Sequence, residues 1–596
     1  MTLRKIGLIL TTALLLLSGS GCALFQSKKQ AAPAPEAQAA VTEVQKAFDA
    51  FLMEETRRQL TQDGLTLHFS LTDPSALGIQ DVPTTLGSLS EASEIENKQA
   101  MEAALNNLQQ FDPDTLTPVQ QLNYQLLKRD LEQSLAMTRY APLQFLFEPN
   151  QGLISALNQN FLEFRITSEA DVQLYLTLLA DVERYLNEAL TYTQAQAERG
   201  YFLQDSALDS TLAEIDRFVE KVDDNVLIVN FAEKLGELEA LSADQRQNYA
   251  DKNEQIMKES YLPSLHYVRD TLEKLRGSAK GQGGLAATYG EQGQAYYQLL
   301  MQSKTAGDQT ILELASELES FMLQKLQRMQ TLLQQDPQLL DKLENVEFPL
   351  TEATTLLQQY QKKMTEIVPE IPQIRYTVSY LDASIASENT IAYYLIPPLD
   401  QETENIIKVN PAYQDKAETL WLTLAHEGFP GHCYQHNYFQ TTDPHPIRRL
   451  LSEIAYTEGW AEIIALEAYR WLGITDEALI EALQINAMYG YYLQCLCDLG
   501  VNGLGWSQDD LAGYLSHFGY AEAAEQIYLD LIANPGVLLP YGVGEMKMEQ
   551  LRDQAREALQ DQFDLKTFYQ VILDQGPRPF TFIEQDIQNW MEETKK

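Results

Sequence analysis

Cysteine is scarce in this chain: four occur in 596 residues. A secreted disulfide scaffold needs far more for its size, so covalent cross-linking is excluded as the basis of the fold. Basic residues are scarce too, 43 Lys and Arg against 85 Asp and Glu, giving a formal net charge of −42. Binding to nucleic acid needs concentrated Lys and Arg, and a membrane-surface patch needs a basic face; this balance argues against both. After the first thirty residues no segment approaches the about 18 consecutive apolar residues of a membrane-spanning helix. What is present, 45% hydrophobic, 9% aromatic and 21% charged residues, is a globular composition that excludes a disordered or collagen-like chain. At about 150 residues per domain the length suits several domains or one large helical enzyme body.

The N-terminus reads as an address. Arg4 and Lys5 precede an apolar stretch from Ile6 to Leu17, followed by Ser18-Gly19-Ser20-Gly21-Cys22. A basic start, a short apolar run and small residues describe a secretory signal over residues 1–21. Cys22 directly after Gly21 resembles a bacterial lipobox, with Gly19 where Leu is usual, and is expected to carry the lipid. Residues 22–40, low in large apolar residues after Phe25, read as a flexible tether. The expected location is therefore extracytoplasmic, with the cell membrane reached through the N-terminal lipid only.

Residues 41–370 carry apolar positions at three- and four-residue steps, as in "LYLTLLADVERYLNEALTYTQAQAERG", and predict an N-terminal helical region. The clearest β signal lies around 374–399, in "IRYTVSYLDAS" and "NTIAYYLIPPL", closed by Pro397-Pro398. Helical patterns resume over roughly 411–428, 447–472, 476–500, 508–533 and 545–560. The fold class predicted is mainly α with one small β-sheet, residues 371–596 forming a catalytic region continuous with 41–370.

Of the seven histidines, four lie between positions 426 and 445. The centre of this cluster is "LAHEGFPGHCYQ". In the familiar zinc peptidase signature two His four residues apart share a helix face, and the Glu after the first acts as base. Here position 430 is Pro and the next His is His432. Six residues place His426 and His432 about 240° apart around an unbroken helix, too far to reach one ion. Pro430-Gly431 removes the difficulty, since Pro disrupts the helix and Gly permits unusual dihedrals, so His432 can swing back.

Downstream, "IRRLLSEIAYTEGWAEIIALEAYRWLG" offers Glu453, Glu458, Glu462 and Glu467. Around Glu458 the sequence is otherwise apolar, and an inward carboxylate there is costly unless paired or metal-bound. Two imidazoles, a carboxylate and an open position compose a catalytic zinc site. Such an ion acidifies water, and Glu427 can take the proton and return it to a leaving amine.

"HEGFPGHCYQ" followed by "RRLLSEIAYTEGWAE" resembles the bacterial domain-of-unknown-function family 885, with its His-Glu-x-x-Pro-Gly-His and later Glu-Gly-Trp-Ala. The similarity extends to "PVQQLNYQLLKRDLE", "AYYLIPPLDQETENIIKVNP" and "NPGVLLPYGVGEMKMEQLRDQA". The resemblance implies a gluzincin-type, metallopeptidase-like helical body with a deep cleft beside a small sheet. It also implies His426, His432 and Glu458 as ligands of one zinc ion per chain, with Glu427 as base. This sequence departs from many members in Glu462, Ile463 and Cys433.

Other residues add detail. Tyr541, between Pro540 and two glycines in "LLPYGVGE", reads as a rigid loop presenting a phenol to a developing oxyanion. His436 can share a face with His432. Arg448, Arg449 and Arg552 are candidates for binding a substrate carboxylate, and Asn410 with the strand at Ala392-Tyr393-Tyr394 for holding an extended peptide. Cys495 and Cys497 read as two buried thiols. The function expected is a lipid-anchored zinc metallopeptidase acting on peptide substrates, with no nucleic-acid partner. The alternatives are a peptide-binding lipoprotein without catalysis and a zinc hydrolase of non-peptide amides.

Overall fold

The computed structural model describes residues 35–381, 390–401 and 405–596. The signal segment and Cys22 lie outside these residues. The first helix, α1, runs Pro35–Leu60, so residues 35–40 of the expected tether are helical.

Helices dominate. Polar caps and breakers divide the N-terminal region into α2 (Glu91–Leu108), α3 (Pro118–Met137), α4 (Leu153–Glu163), α5 (Glu169–Ala197), α6 (Ile311–Gln335) and several others. Thr117 and Gln120 form a capping box at the start of α3, and Ser168 with Asp171 does the same for α5, satisfying amide groups that the first helical turn leaves free. The apolar stripe of α5 is buried along its length, Val172, Leu179, Val182 and Leu186 each at most 1% exposed, which fixes the face that meets its neighbours.

Three short strands follow: β1 (Tyr376–Tyr380), β2 (Ala392–Leu395) and β3 (Asn405–Val409), in the order β1-β3-β2. β1 runs parallel to β3, whereas β2 is antiparallel to it, Tyr393 opposite Lys408. The mainly α class with one small sheet is thus what the chain adopts. β3 was not among the two expected strands.

The C-terminal region contains α7 (Ala417–Glu427), α8 (His432–Thr441), α9 (Ile454–Leu466), α10 (Glu477–Asp498) and α11 (Leu539–Leu559). The helix expected over 508–533 is two, Gln508–Ser516 and Ala524–Ala533. A core of Trp421, Leu424, Phe429, Trp460, Ile463, Met548 and Tyr569 joins α7, α9 and α11 beneath the sheet. α9 and α11 cross at glycines: a Cβ on Gly459 would lie 2.4 Å from the Gly544 carbonyl carbon. Long-range ties bind the earlier helices to this region. Glu163 at the end of α4 accepts from the Tyr393 hydroxyl at 2.8 Å and pairs with Lys408 at 3.1 Å. Glu317 on α6 pairs with Lys547 on α11 at 2.8 Å.

Candidate metal centre

α7 ends at Glu427, and the chain turns through Gly428–Gly431 before α8 begins at His432. The turn is tight. The Gly431 amide donates to the Ala425 carbonyl at 3.0 Å, and any Cβ at Gly431 would lie 1.7 Å from the His426 carbonyl oxygen. Trp460 of α9 locks it from below, its indole N–H donating to the Pro430 carbonyl at 3.0 Å. The two imidazoles consequently meet, ring centres 4.7 Å apart and planes 88° to each other.

Glu458 completes the group. Its Oε2 lies 3.4 Å from Nε2 of both His426 and His432 and has no hydrogen-bond partner. Ligands about 2.0–2.1 Å from a tetrahedral ion stand about 3.3–3.4 Å apart, so these separations suit a shared divalent cation. Candidate ligand atoms of His426, Glu427 and His432 also lie within 4.8 Å of one another. Glu427 is nevertheless the weaker ligand: its Oε1 is 3.9 Å from His426 Nε2, and its Oε2 accepts the Tyr394 backbone N–H at 3.0 Å. β2 thus holds Glu427 beside the donors. The four side chains retain 12–14% exposure, so solvent reaches each of them.

Glu462, one turn after Glu458, places Oε1 3.5 Å from His426 Nδ1. Sequence reasoning named Glu462 without a role; its i+4 spacing from Glu458 was the available signal. The electrostatics follow from this crowding. Burial disfavours the Glu458 charge, but His432 and His426 outweigh it and hold the carboxyl below its usual range. Burial opposes a charged His426, yet Glu458, Glu462 and Glu427 push it up to about 9. Glu427 and Glu462 are raised by burial against the pull of His426.

Tyr541 is not in a loop. Pro540 occupies a first-turn position of α11, where its missing N–H costs nothing, and Tyr541 follows within the helix. Its ring stacks over His426, centres 6.3 Å apart, and against Tyr491 at 6.1 Å. Burial and the neighbouring glutamates keep its phenol protonated well above the ordinary range.

The remaining candidates separate from the centre. Arg448 is buried and donates to the Gln575 and Pro577 carbonyls, and Arg552 pairs with Glu549 and Glu467, so both are structural. Arg449 donates to the Pro397 carbonyl at 2.9 Å. Asn410 caps the turn at Pro411–Tyr413 through its bond from the Ala412 N–H. His436 lies beyond His432, its ring centre 6.0 Å from that of Tyr394. Cys433, Cys495 and Cys497 are buried free thiols, and burial raises the Cys433 thiol far above the reactive range.

A mainly α protein carrying a His–His–Glu donor set on three helices is what the fold and site define. The chain belongs to the family described as Bacterial protein of unknown function (DUF885), which matches residues 72–587. No curated protein matches the chain. Among solved structures, a "putative lipoprotein" of Colwellia psychrerythraea is similar with a TM-score of 0.80 and 17% identity, over 92% of this chain and 100% of that one. A "putative lipoprotein of unknown function" from Shewanella oneidensis is similar with a TM-score of 0.56 and 15% identity, over 91% and 99%. Both likenesses concern the fold.

Proposed function

We propose that the protein is a lipid-anchored, extracytoplasmic zinc hydrolase that cleaves peptide bonds, of the gluzincin type that its motifs resemble. The observation carrying this reading is the position of the Glu458 carboxylate, equidistant at 3.4 Å from two imidazole nitrogens and without a hydrogen-bond partner. His426, His432 and Glu458 would hold the ion. When bound, it would supply Lewis acidity, acidifying water and polarising a carbonyl. Glu427, fixed by the Tyr394 N–H, accepts the water's proton at Oε1 and returns it to the departing amine. Tyr541 keeps its proton and donates a hydrogen bond toward the carbonyl oxygen as charge develops there. Glu462 holds the His426 ring through Nδ1, leaving Nε2 for the metal.

An anchored base is what separates a hydrolase from a peptide-capturing lipoprotein, which needs none. The anchor itself is supported by the Cys22 segment and by the descriptions of the two similar structures. No helix among the described residues is long and apolar enough to cross a membrane. Digestion of a peptide library by the purified full chain tests the reading. Wild type is expected to cleave, and Glu427→Gln to lose about 10²–10⁴-fold in turnover while keeping its metal. Full activity in Glu427→Gln would refute the mechanism.

A further inference from the structure

The strand that holds Glu427 is itself held from the N-terminal region. Among the described residues β2 is an edge strand, paired with β3 alone. The Tyr394 N–H reaches Glu427 Oε2, so this amide points away from β3; successive amides of an edge strand alternate between partner and open side. The hydrogen bond that fixes Glu427 is therefore only as well placed as β2. One residue earlier, Tyr393 turns its side chain toward the N-terminal helices, where its hydroxyl donates to Glu163 Oε1 at 2.8 Å. The other oxygen, Oε2, lies 3.1 Å from Lys408 Nζ, and Lys408 is the residue opposite Tyr393 on β3. One carboxylate thus grips both members of a cross-strand pair. Burial, with the Glu163 charge adding to it, holds the Tyr393 phenol protonated well above its ordinary range, so it stays a donor.

Glu163 is in turn firmly set. It is the last residue of α4, its side chain 7% exposed. Lys234 donates to the carbonyls on either side of it, Leu162 and Phe164, and the Phe164 ring stacks on His68, centres 3.7 Å apart. The stretch after β2 is tied to the same region: the Leu399 N–H donates to the Ser70 carbonyl at 2.8 Å, and Asp400 accepts from the Thr72 and Asp73 amides. A buried carboxylate is costly unless paired, and each oxygen of Glu163 has its partner on the sheet.

We propose that Glu163 is a positioning residue for the base: by gripping Tyr393 and Lys408 it sets where the Tyr394 N–H meets Glu427. The proposal rests on the hydrolase reading, in which Glu427 takes the water's proton. Loss of the grip leaves the metal ligands and their ion in place and slows the step that uses the base, because a small misplacement of a reacting group is enough to slow a reaction.

The experiment compares the full chain as wild type, Tyr393→Phe, Glu163→Ala, their double variant and Asp308→Asn. Asp308 is the control: it accepts from Arg129 of α3 at 2.7 Å, a long-range tie that does not involve the sheet. Tyr393→Phe keeps the ring and removes only the hydroxyl, so the test stands even where Glu163→Ala fails to fold. Deuterium exchange at the Tyr394 amide, read by mass spectrometry without substrate, is expected to be slow in wild type and at least about tenfold faster in both single variants. On a library peptide that wild type cleaves, the same variants are expected to lose about tenfold in kcat, with KM and bound zinc unchanged. The double variant is expected to lose no more than Glu163→Ala alone, since both residues act through one contact, and Asp308→Asn to match wild type. Failure of the hydrolase reading would show as wild-type protein that cleaves no peptide. Failure of the present proposal would show as unchanged exchange in both single variants, unchanged kcat in both, losses that multiply in the double variant, or an equal loss in Asp308→Asn.

Discussion

Glu458 and Glu462 stand four residues apart on one face of α9, yet they serve different ends. Glu458 meets both imidazoles at Nε2; Glu462 reaches only the far nitrogen of His426. A carboxylate in that position fixes the ring's tautomer and orientation and raises its basicity as a ligand. Glu462→Gln is therefore expected to keep the fold and weaken metal affinity by about 10–100-fold, measured by competition with a chelator. Unchanged affinity would assign Glu462 a purely structural place. The meeting of His426, Glu427 and His432 was legible in the sequence because their spacing is chemical, a His-Glu pair followed by a Pro-Gly break. Glu462 was less so, since its contact depends on which nitrogen of His426 faces it.

Helix breaks and crossings set the scale above. The Pro430-Gly431 break was readable because both residues have strong local preferences, and it does carry His432 back toward His426. The first turn of α11 was misread as a loop: Pro540 and Gly542 resemble loop residues, but Pro at the start of a helix is favoured and the helix tolerates the following glycines in a crowded crossing. β3 was overlooked because five residues, closed by Asn410-Pro411, give little periodic signal, and pairing with both β1 and β2 makes the strand. The crossing of α9 and α11 carries the next prediction. A Cβ at Gly459 would sit 2.4 Å from backbone of Gly544, so Gly459→Ala must push apart the helices bearing Glu458 and Tyr541. It is expected to cost at least about 1–3 kcal/mol in stability, read by denaturant unfolding, and to reduce activity disproportionately. A variant as stable as wild type would show the crossing to be loose.

Over the whole molecule, the parts joined are distant in sequence. Glu163 on α4 meets Tyr393 and Lys408 of the sheet, and Glu317 on α6 meets Lys547 on α11. No local pattern announces such pairs, which is why the helical class was readable and the assembly was not. The N-terminus bears on location. The Cys22 segment contains no proposed site residue, so Cys22→Ser is expected to give a protein that washes from membranes and retains full activity. Retention on washed membranes would place the anchor elsewhere.

The most direct test is the zinc content of the purified chain after matched dialysis, compared among wild type, His432→Ala, Glu458→Gln and His436→Ala. Three ligands from α7, α8 and α9 predict about one ion per chain in wild type and in His436→Ala, and nearly empty His432→Ala and Glu458→Gln proteins. A metal-free wild type, or a His432→Ala protein as fully loaded as wild type, would contradict the assignment of these residues as a metal centre.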